Sequence, residues 1–148
     1  MYALLLSLFL QHPKCMIRPP QARVIVRSAI TAARSYHVPA YVVLAAVLKE
    51  TGGRRVTVTL KDGSCDIGPW QIHTTDCRPA VRIALNVPQA SAMSGAALLD
   101  WSRKRCMGSD PPKACERSVW ALYNAGSKTW SKDMEEIIAW FEERGAQE

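Results

Sequence analysis

The chain has 148 residues, 48% of them apolar and 22% charged, which is the size and balance of one ordinary globular domain and excludes a disordered or low-complexity protein. No apolar run reaches the roughly 18 residues that a membrane-crossing helix needs. The net charge of +6 is unevenly spread: residues 1–131 carry seventeen basic and seven acidic side chains, while 132–148 carry two and six. A positive body facing an acidic tail suggests a polyanionic partner, whether nucleic acid, anionic membrane or cell-wall polymer, and charge alone does not choose among them.

In chain order, residues 1–20 form an N-terminal apolar segment, with Met1-Tyr-Ala-Leu-Leu-Leu-Ser-Leu-Phe-Leu10 at its start. It has signal-peptide character without a basic leader or an Ala-x-Ala cleavage site, so an export signal, a membrane-touching anchor and a first helix of the fold are all open readings; the export-related one is preferred. Residues 21–148 then read as one domain. Val24, Ile25, Ser28, Ala29, Ala32, Ala33 and Tyr36 recur at helical spacing, and His37-Val38-Pro39 ends that helix. Tyr41 to Glu50 is apolar almost throughout, which predicts a buried central helix stopped by Gly52-Gly53, with Glu50 in its last turn.

Val56-Thr-Val-Thr-Leu60 alternates as a strand does, Lys61-Asp-Gly-Ser64 reads as its turn, and Cys65-Asp-Ile67 as a short return strand. Helices are expected after Pro79 and Pro88, through Trp120 and Tyr123, and from a Ser131 cap to Gly145. The expected fold class is mainly α, a single helical domain with one small β-hairpin.

Five cysteines lack the CxxC and His spacing of a zinc site, so no metal is expected. Cys65–Cys77 and Cys106–Cys115 are the disulfide candidates, with Cys15 left over; free thiols packed as small hydrophobes are the alternative. Bridges would imply an oxidising compartment.

Glu50 stands out because its helix is apolar on nearly every side. A carboxyl held against such a core resists ionisation, the condition a general acid needs. Three segments then read together: Leu48-Lys-Glu50-Thr-Gly52, Asp66-Ile-Gly-Pro-Trp-Gln-Ile-His73 and Ala121-Leu-Tyr-Asn-Ala-Gly-Ser127. In order and spacing, Glu50-Thr51, Gly68-x-x-Gln71-Ile72 and Tyr123-Asn124-Ala125-Gly126 resemble the motifs of the soluble lytic transglycosylases, whose catalytic domain has a goose-type lysozyme fold. The resemblance runs from Gln21 to Trp130 and includes the Asp-Ile-Gly of the short members that serve secretion and conjugation machines. It departs at Pro69 and Trp70, where Leu and Met are usual, and in the last helix, where Trp140 and Phe141 stand in place of the family's tyrosine.

The resemblance implies a peptidoglycan-cleaving enzyme that needs no cofactor. Glu50 would protonate the glycosidic oxygen and then, as a base, take the proton of the muramic acid 6-hydroxyl, closing a 1,6-anhydro ring. Tyr123 would orient Glu50. Thr51, Trp70, Gln71, Ile72 and Asn124 would line the glycan site, and Gly68 and Gly126 would let backbone approach the sugar. Asp62 and Asp66 on the hairpin are the possible second carboxylates of a lysozyme-type hydrolase, though a turn role for Asp62 and a local hydrogen-bonding role for Asp66 are preferred.

His73 is the one histidine near a motif. Trp101, Trp120, Trp130 and Trp140 read as core, and Arg103-Lys104-Arg105 as a solvated helix end. A catalytically silent glycan-binding module is the non-enzyme alternative. A nucleic-acid binder is disfavoured because the basic residues are spread along the chain. The expected partners are peptidoglycan strands and, beyond them, a secretion, conjugation or phage apparatus. The expected location is the periplasm or outside the cell, with a phage virion as the alternative, and membrane contact is expected only through the N-terminal segment.

Overall fold

The computed structural model describes residues 1–107 and 132–146. Six helices are described: α1 (Tyr2–Gln11), α2 (Pro19–Tyr36), α3 (Ala40–Glu50), α4 (Pro79–Asn86), α5 (Pro88–Met107) and α6 (Lys132–Glu142). Between α3 and α4 lies a three-stranded antiparallel sheet of β1 (Thr57–Thr59), β2 (Cys65–Ile67) and β3 (Ile72–Thr74), in that order. The protein is mainly α with a small sheet, as its sequence pattern predicts. The sheet is larger than the expected hairpin by β3, which pairs Cys65 with Thr74, Asp66 with His73 and Ile67 with Ile72. Three residues between two turns carry too little alternation to announce a strand.

Helix α3 is the axis of the core. Every residue from Val42 to Leu48 is buried, and α2, α5 and α6 all pack against it. Burying a side chain of this size is worth about 1.5–3 kcal/mol, so this segment is the main apolar contribution to folding. Pro19 and Pro20 form the first turn of α2 and do not merely precede it, as suits residues with fixed φ and no N–H to leave unsatisfied. His37 ends α2 in the left-handed conformation, with its N–H on the Ala33 carbonyl.

The N-terminal segment shares this core. Leu5, Leu8 and Phe9 of α1 are buried, and α1 packs on α2. Among the described residues no helix is long and apolar enough to cross a membrane. The sequence expectation that Trp101 is core fails, since it is exposed on α5. Lys104 is solvated as expected, at 71% exposure, and Arg103 is half-buried; both also hold the buried Asp100, at 2.6 and 2.8 Å. Hydrogen bonds from Lys104, then Arg103, hold the Asp100 carboxyl below its usual range despite burial.

Cys65 and Cys77 form a disulfide that ties β2 to the segment entering α4. The side chain of Cys106, and Cys115 altogether, lie outside the described residues. Closing a loop with a sequence separation of 12 stabilises by about 2–3 kcal/mol in the chain-entropy account. Denaturation with and without reductant should therefore differ by about that amount. Cys77→Ser should resemble the reduced wild type, and thiol titration should find one fewer disulfide in it. Equal stability of the oxidised and reduced forms would mean that the bridge does not constrain the fold.

At the other end of the core, His12 caps α1 and packs edge-on to Trp140, with ring centroids 4.8 Å apart, and beside Phe141. Its Nδ1 accepts the Lys14 N–H at 3.1 Å, which requires that nitrogen to be unprotonated. Burial first, then the charges of Lys14 and Arg144, lower the His12 pKa. The unfolded chain thus binds this proton more readily than the folded one. Stability from this site is complete above the ordinary histidine value of 6.5 and is lost as pH falls below it. Thermal melts between pH 7.5 and 5 should show a falling midpoint. The decline should be shallower in His12→Asn, which keeps an acceptor for Lys14; equal slopes would contradict the assignment.

Candidate active site

The fold brings two of the three sequence motifs together at the end of α3. Thr51 caps the helix: its N–H reaches the Val47 carbonyl at 3.1 Å, and the Gly52 N–H reaches the same carbonyl at 3.0 Å. Gly52 has φ +64°, and any Cβ there would collide with the Lys14 carbonyl and the Met16 side chain. The α1–α2 connection is stitched to this turn by the Met16 N–H donating to the Gly52 carbonyl at 2.9 Å. Glu50 thus occupies the last helical position before a turn clamped from both sides.

The Glu50 side chain is 20% exposed, and its Oε1 accepts from the Lys49 ammonium at 2.8 Å. The sequence expectation of a carboxyl against apolar side chains alone is corrected here, because a cation is its immediate neighbour. Adjacent helix residues do not normally face each other. The pair forms where the helix ends, with the Lys49 side chain 11% exposed. Lys49 is the residue that sequence reasoning overlooked; its only signal was its place beside Glu50.

The second motif is fastened to this helix end by its backbone and by one large side chain. Thr51 Oγ1 donates to the Pro69 carbonyl at 2.7 Å and accepts from the Gly53 N–H at 3.2 Å. Trp70 is wholly buried, and its indole Nε1–H donates to the Val43 carbonyl inside α3 at 2.9 Å. Gln71 takes a left-handed φ of 49°, and its amide nitrogen donates to the Val56 and Gly68 carbonyls at 3.0 and 2.9 Å.

These positions revise most of the expected glycan contacts. Trp70 is a core residue and presents no face to a sugar. Thr51 and Ile72 are buried, the former acting as a tie and the latter as packing. Gln71 uses its amide donors to join β1 to the β2–β3 turn. Gly68, at φ +81°, is required because a Cβ would strike the Leu85 carbonyl of α4, so its close approach is to protein and not to substrate. Tyr123, Asn124 and Gly126 lie outside the described residues.

Of the two hairpin carboxylates, Asp62 closes its turn. It accepts the Ser64 N–H at 2.9 Å and hydroxyl at 2.6 Å, and the hydroxyl contact first, then the backbone one, lowers its pKa. Asp66 behaves differently. Its Oδ1 lies 2.9 Å from His73 Nδ1 across β2 and β3, and both side chains are partly exposed. The register that pairs Asp66 with His73 sets them, with Val58, in one row on the face of the sheet opposite Ile67 and Ile72. Sequence reasoning left the two unconnected because β3 was not foreseen. Among the described residues no cluster of His, Cys, Asp and Glu forms that could hold a metal ion. Comparison with protein families, curated proteins and solved structures finds no match to this chain.

Trp70 offers a direct check on this assignment. Trp70→Ala should destabilise by about 3–5 kcal/mol in urea unfolding, the range for emptying an aromatic core site. Trp70→Phe, which keeps an aromatic ring but loses the indole bond to the Val43 carbonyl, should cost less, on the order of 0.5–1.5 kcal/mol for the lost hydrogen bond. A sugar platform would give the opposite pattern, with weakened glycan binding at unchanged stability.

Proposed function

We propose that the protein is a peptidoglycan lytic transglycosylase in which Glu50 acts first as general acid and then as general base. The observation that carries this reading is the place of Glu50: the terminal residue of a helix otherwise sealed in the core, with the Gly68–Ile72 motif anchored beside it through Thr51–Pro69 and Trp70–Val43. A carboxyl so fixed can meet one bond of a bound polymer in a constant geometry, which is what general acid catalysis requires.

In this reading the Glu50 proton passes to the glycosidic oxygen between N-acetylmuramic acid and N-acetylglucosamine. The C1–O bond breaks, and positive charge spreads over C1 and the ring oxygen. The muramic acid 6-hydroxyl then attacks C1, and its proton passes to the Glu50 carboxylate, which restores the acid. No water is consumed and no second carboxylate is needed. The Lys49 ammonium at 2.8 Å supplies a counter-charge to the carboxylate present between the two proton transfers. Tyr123, by its resemblance to the family tyrosine, would orient Glu50, with Asn124 and Gly126 contributing to the glycan site. The excess of basic side chains over residues 1–131 suits an anionic wall. The Cys65–Cys77 bridge supports an oxidising location, such as the periplasm or the exterior; association with a secretion, conjugation or phage apparatus remains part of the proposal.

One observation favours a second reading, a lysozyme-type hydrolase. Asp66 holds His73 by Nδ1, which leaves Nε2 to abstract a proton from water. Asp62 is engaged by Ser64 and is the weaker candidate for that role.

Purified peptidoglycan digested with wild type and with Glu50→Gln separates the possibilities by mass spectrometry. The proposal expects 1,6-anhydro muropeptides from wild type and a loss of at least about a hundredfold in the variant, the usual scale for removing a general acid. Reducing-end products that disappear in His73→Ala would move the reading to hydrolysis. A folded wild type that binds glycan without product would be a binding module.

A further inference from the structure

A groove on the side of the Glu50 turn formed by α2 and the α1–α2 connection has no role in the chemistry above. Its larger basin, about 720 Å³, is lined by the buried Ile25 and half-buried Ile17, by the exposed Met16 and Val24, and by Arg54 and Arg55. A second, shallower basin of about 360 Å³ shares Arg55 with it and is otherwise lined by Arg82, Ile83, Asn86 and Val87 of the α4 region. Among the described residues, four of the eight exposed large apolar side chains sit here: Met16 at 60%, Val24 at 47%, Ile83 at 71% and Val87 at 47%. An apolar strip of this kind on a soluble surface usually marks an interaction site.

Its charge is one-sided. Among the described residues no acidic one lines either basin. Among the described residues none of Arg54, Arg55 and Arg82 pairs with a carboxylate. Arg54 donates through Nε to the Thr51 carbonyl and Arg82 through Nε to the Cys77 carbonyl, so these two guanidinium groups are held in place. Fixed guanidinium groups bind carboxylates with little further ordering cost.

We propose that this groove docks an acidic amphipathic segment of a partner protein. Its apolar side chains would enter the floor between Met16 and Val24 and against Ile83, and its carboxylates would meet Arg54, Arg55 and Arg82. The concave shape favours a peptide segment over a bilayer, which needs a protruding surface to enter. The protein's own acidic stretch does not fit: α6 already spends its apolar face, Met134, Ile137, Ile138 and Phe141, in the core. The groove and its occupant are independent of the reaction proposed for Glu50.

The test uses the full chain and a fluorescein-labelled helical peptide with leucines on one face and glutamates on the other. Fluorescence anisotropy should show saturable binding, weakened about tenfold or more by Arg55→Glu and, separately, by Met16→Ser with Ile83→Ser. All three positions are exposed or half-exposed rim sites, and circular dichroism checks that the variants fold. Peptidoglycan digestion, whatever its products, should be the same for Arg55→Glu and wild type. Failure of the peptide to bind, equal binding by polyglutamate, or binding indifferent to both variants would overturn the proposal. So would phosphatidylglycerol vesicles that take up the protein and displace the peptide, or a dimer in sedimentation that Arg55→Glu dissolves, which would assign the groove to lipid or to a second copy.

Discussion

The burial of α3 is the constraint on which the rest depends. A helix with Val42 to Leu48 all inside leaves no lateral face for polar chemistry. Every neighbour is recruited to cover it: α2 on one side, α5 and α6 on others, and the indole of Trp70 reaching in to the Val43 carbonyl. Polar function can emerge only where the helix stops. Lys49 and Glu50, partly exposed, are therefore the polar side chains at which this helix leaves the core. The turn after them must be tight because Lys14 and Met16 already occupy the space around Gly52.

That economy explains why residues of the Gly68–Ile72 motif serve structure. The sheet is small, and its strands of three residues each would not hold a loop in place by themselves. Trp70 instead pegs the β2–β3 turn to α3, Gln71 pegs it to Val56 just before β1, and Gly68 lets it lie close against α4. The disulfide fixes the far end of the same sheet to the approach to α4. Motif residues that look like ligand contacts in a linear reading are here the fasteners that hold the sheet beside Glu50. On the solvent-facing side of the sheet, Asp66 and His73 pair with each other.

Helices and their stops were legible in the sequence because they follow from long periodic runs and from Pro or Gly at the boundaries. The apolar run before Glu50, the break at His37 to Pro39 and the Asp62 turn are local features with local causes. The third strand was not legible, since three residues have no period to detect. The roles of Trp70 and Gln71 were not legible either, because whether a tryptophan meets a sugar or a carbonyl depends on what lies across from it. Val43 and Val56 are 27 and 15 residues away along the chain. Lys49 was visible but looked like an ordinary basic residue near a helix end; only the termination geometry turns it toward Glu50. The Arg54, Arg55 and Arg82 groove escaped for the same reason, its members being brought together by the sheet and α4.

The central claim is that Glu50 gives its proton to the leaving oxygen and regains one from the muramic acid 6-hydroxyl, so that the sugar's own hydroxyl replaces water. Digestion of peptidoglycan in water enriched in heavy oxygen tests it most directly. The account predicts wild-type products that carry no heavy oxygen at the cleaved C1 and are absent with Glu50→Gln. Label incorporated at C1 during cleavage, or unlabelled anhydro products that persist in Glu50→Gln, would contradict it.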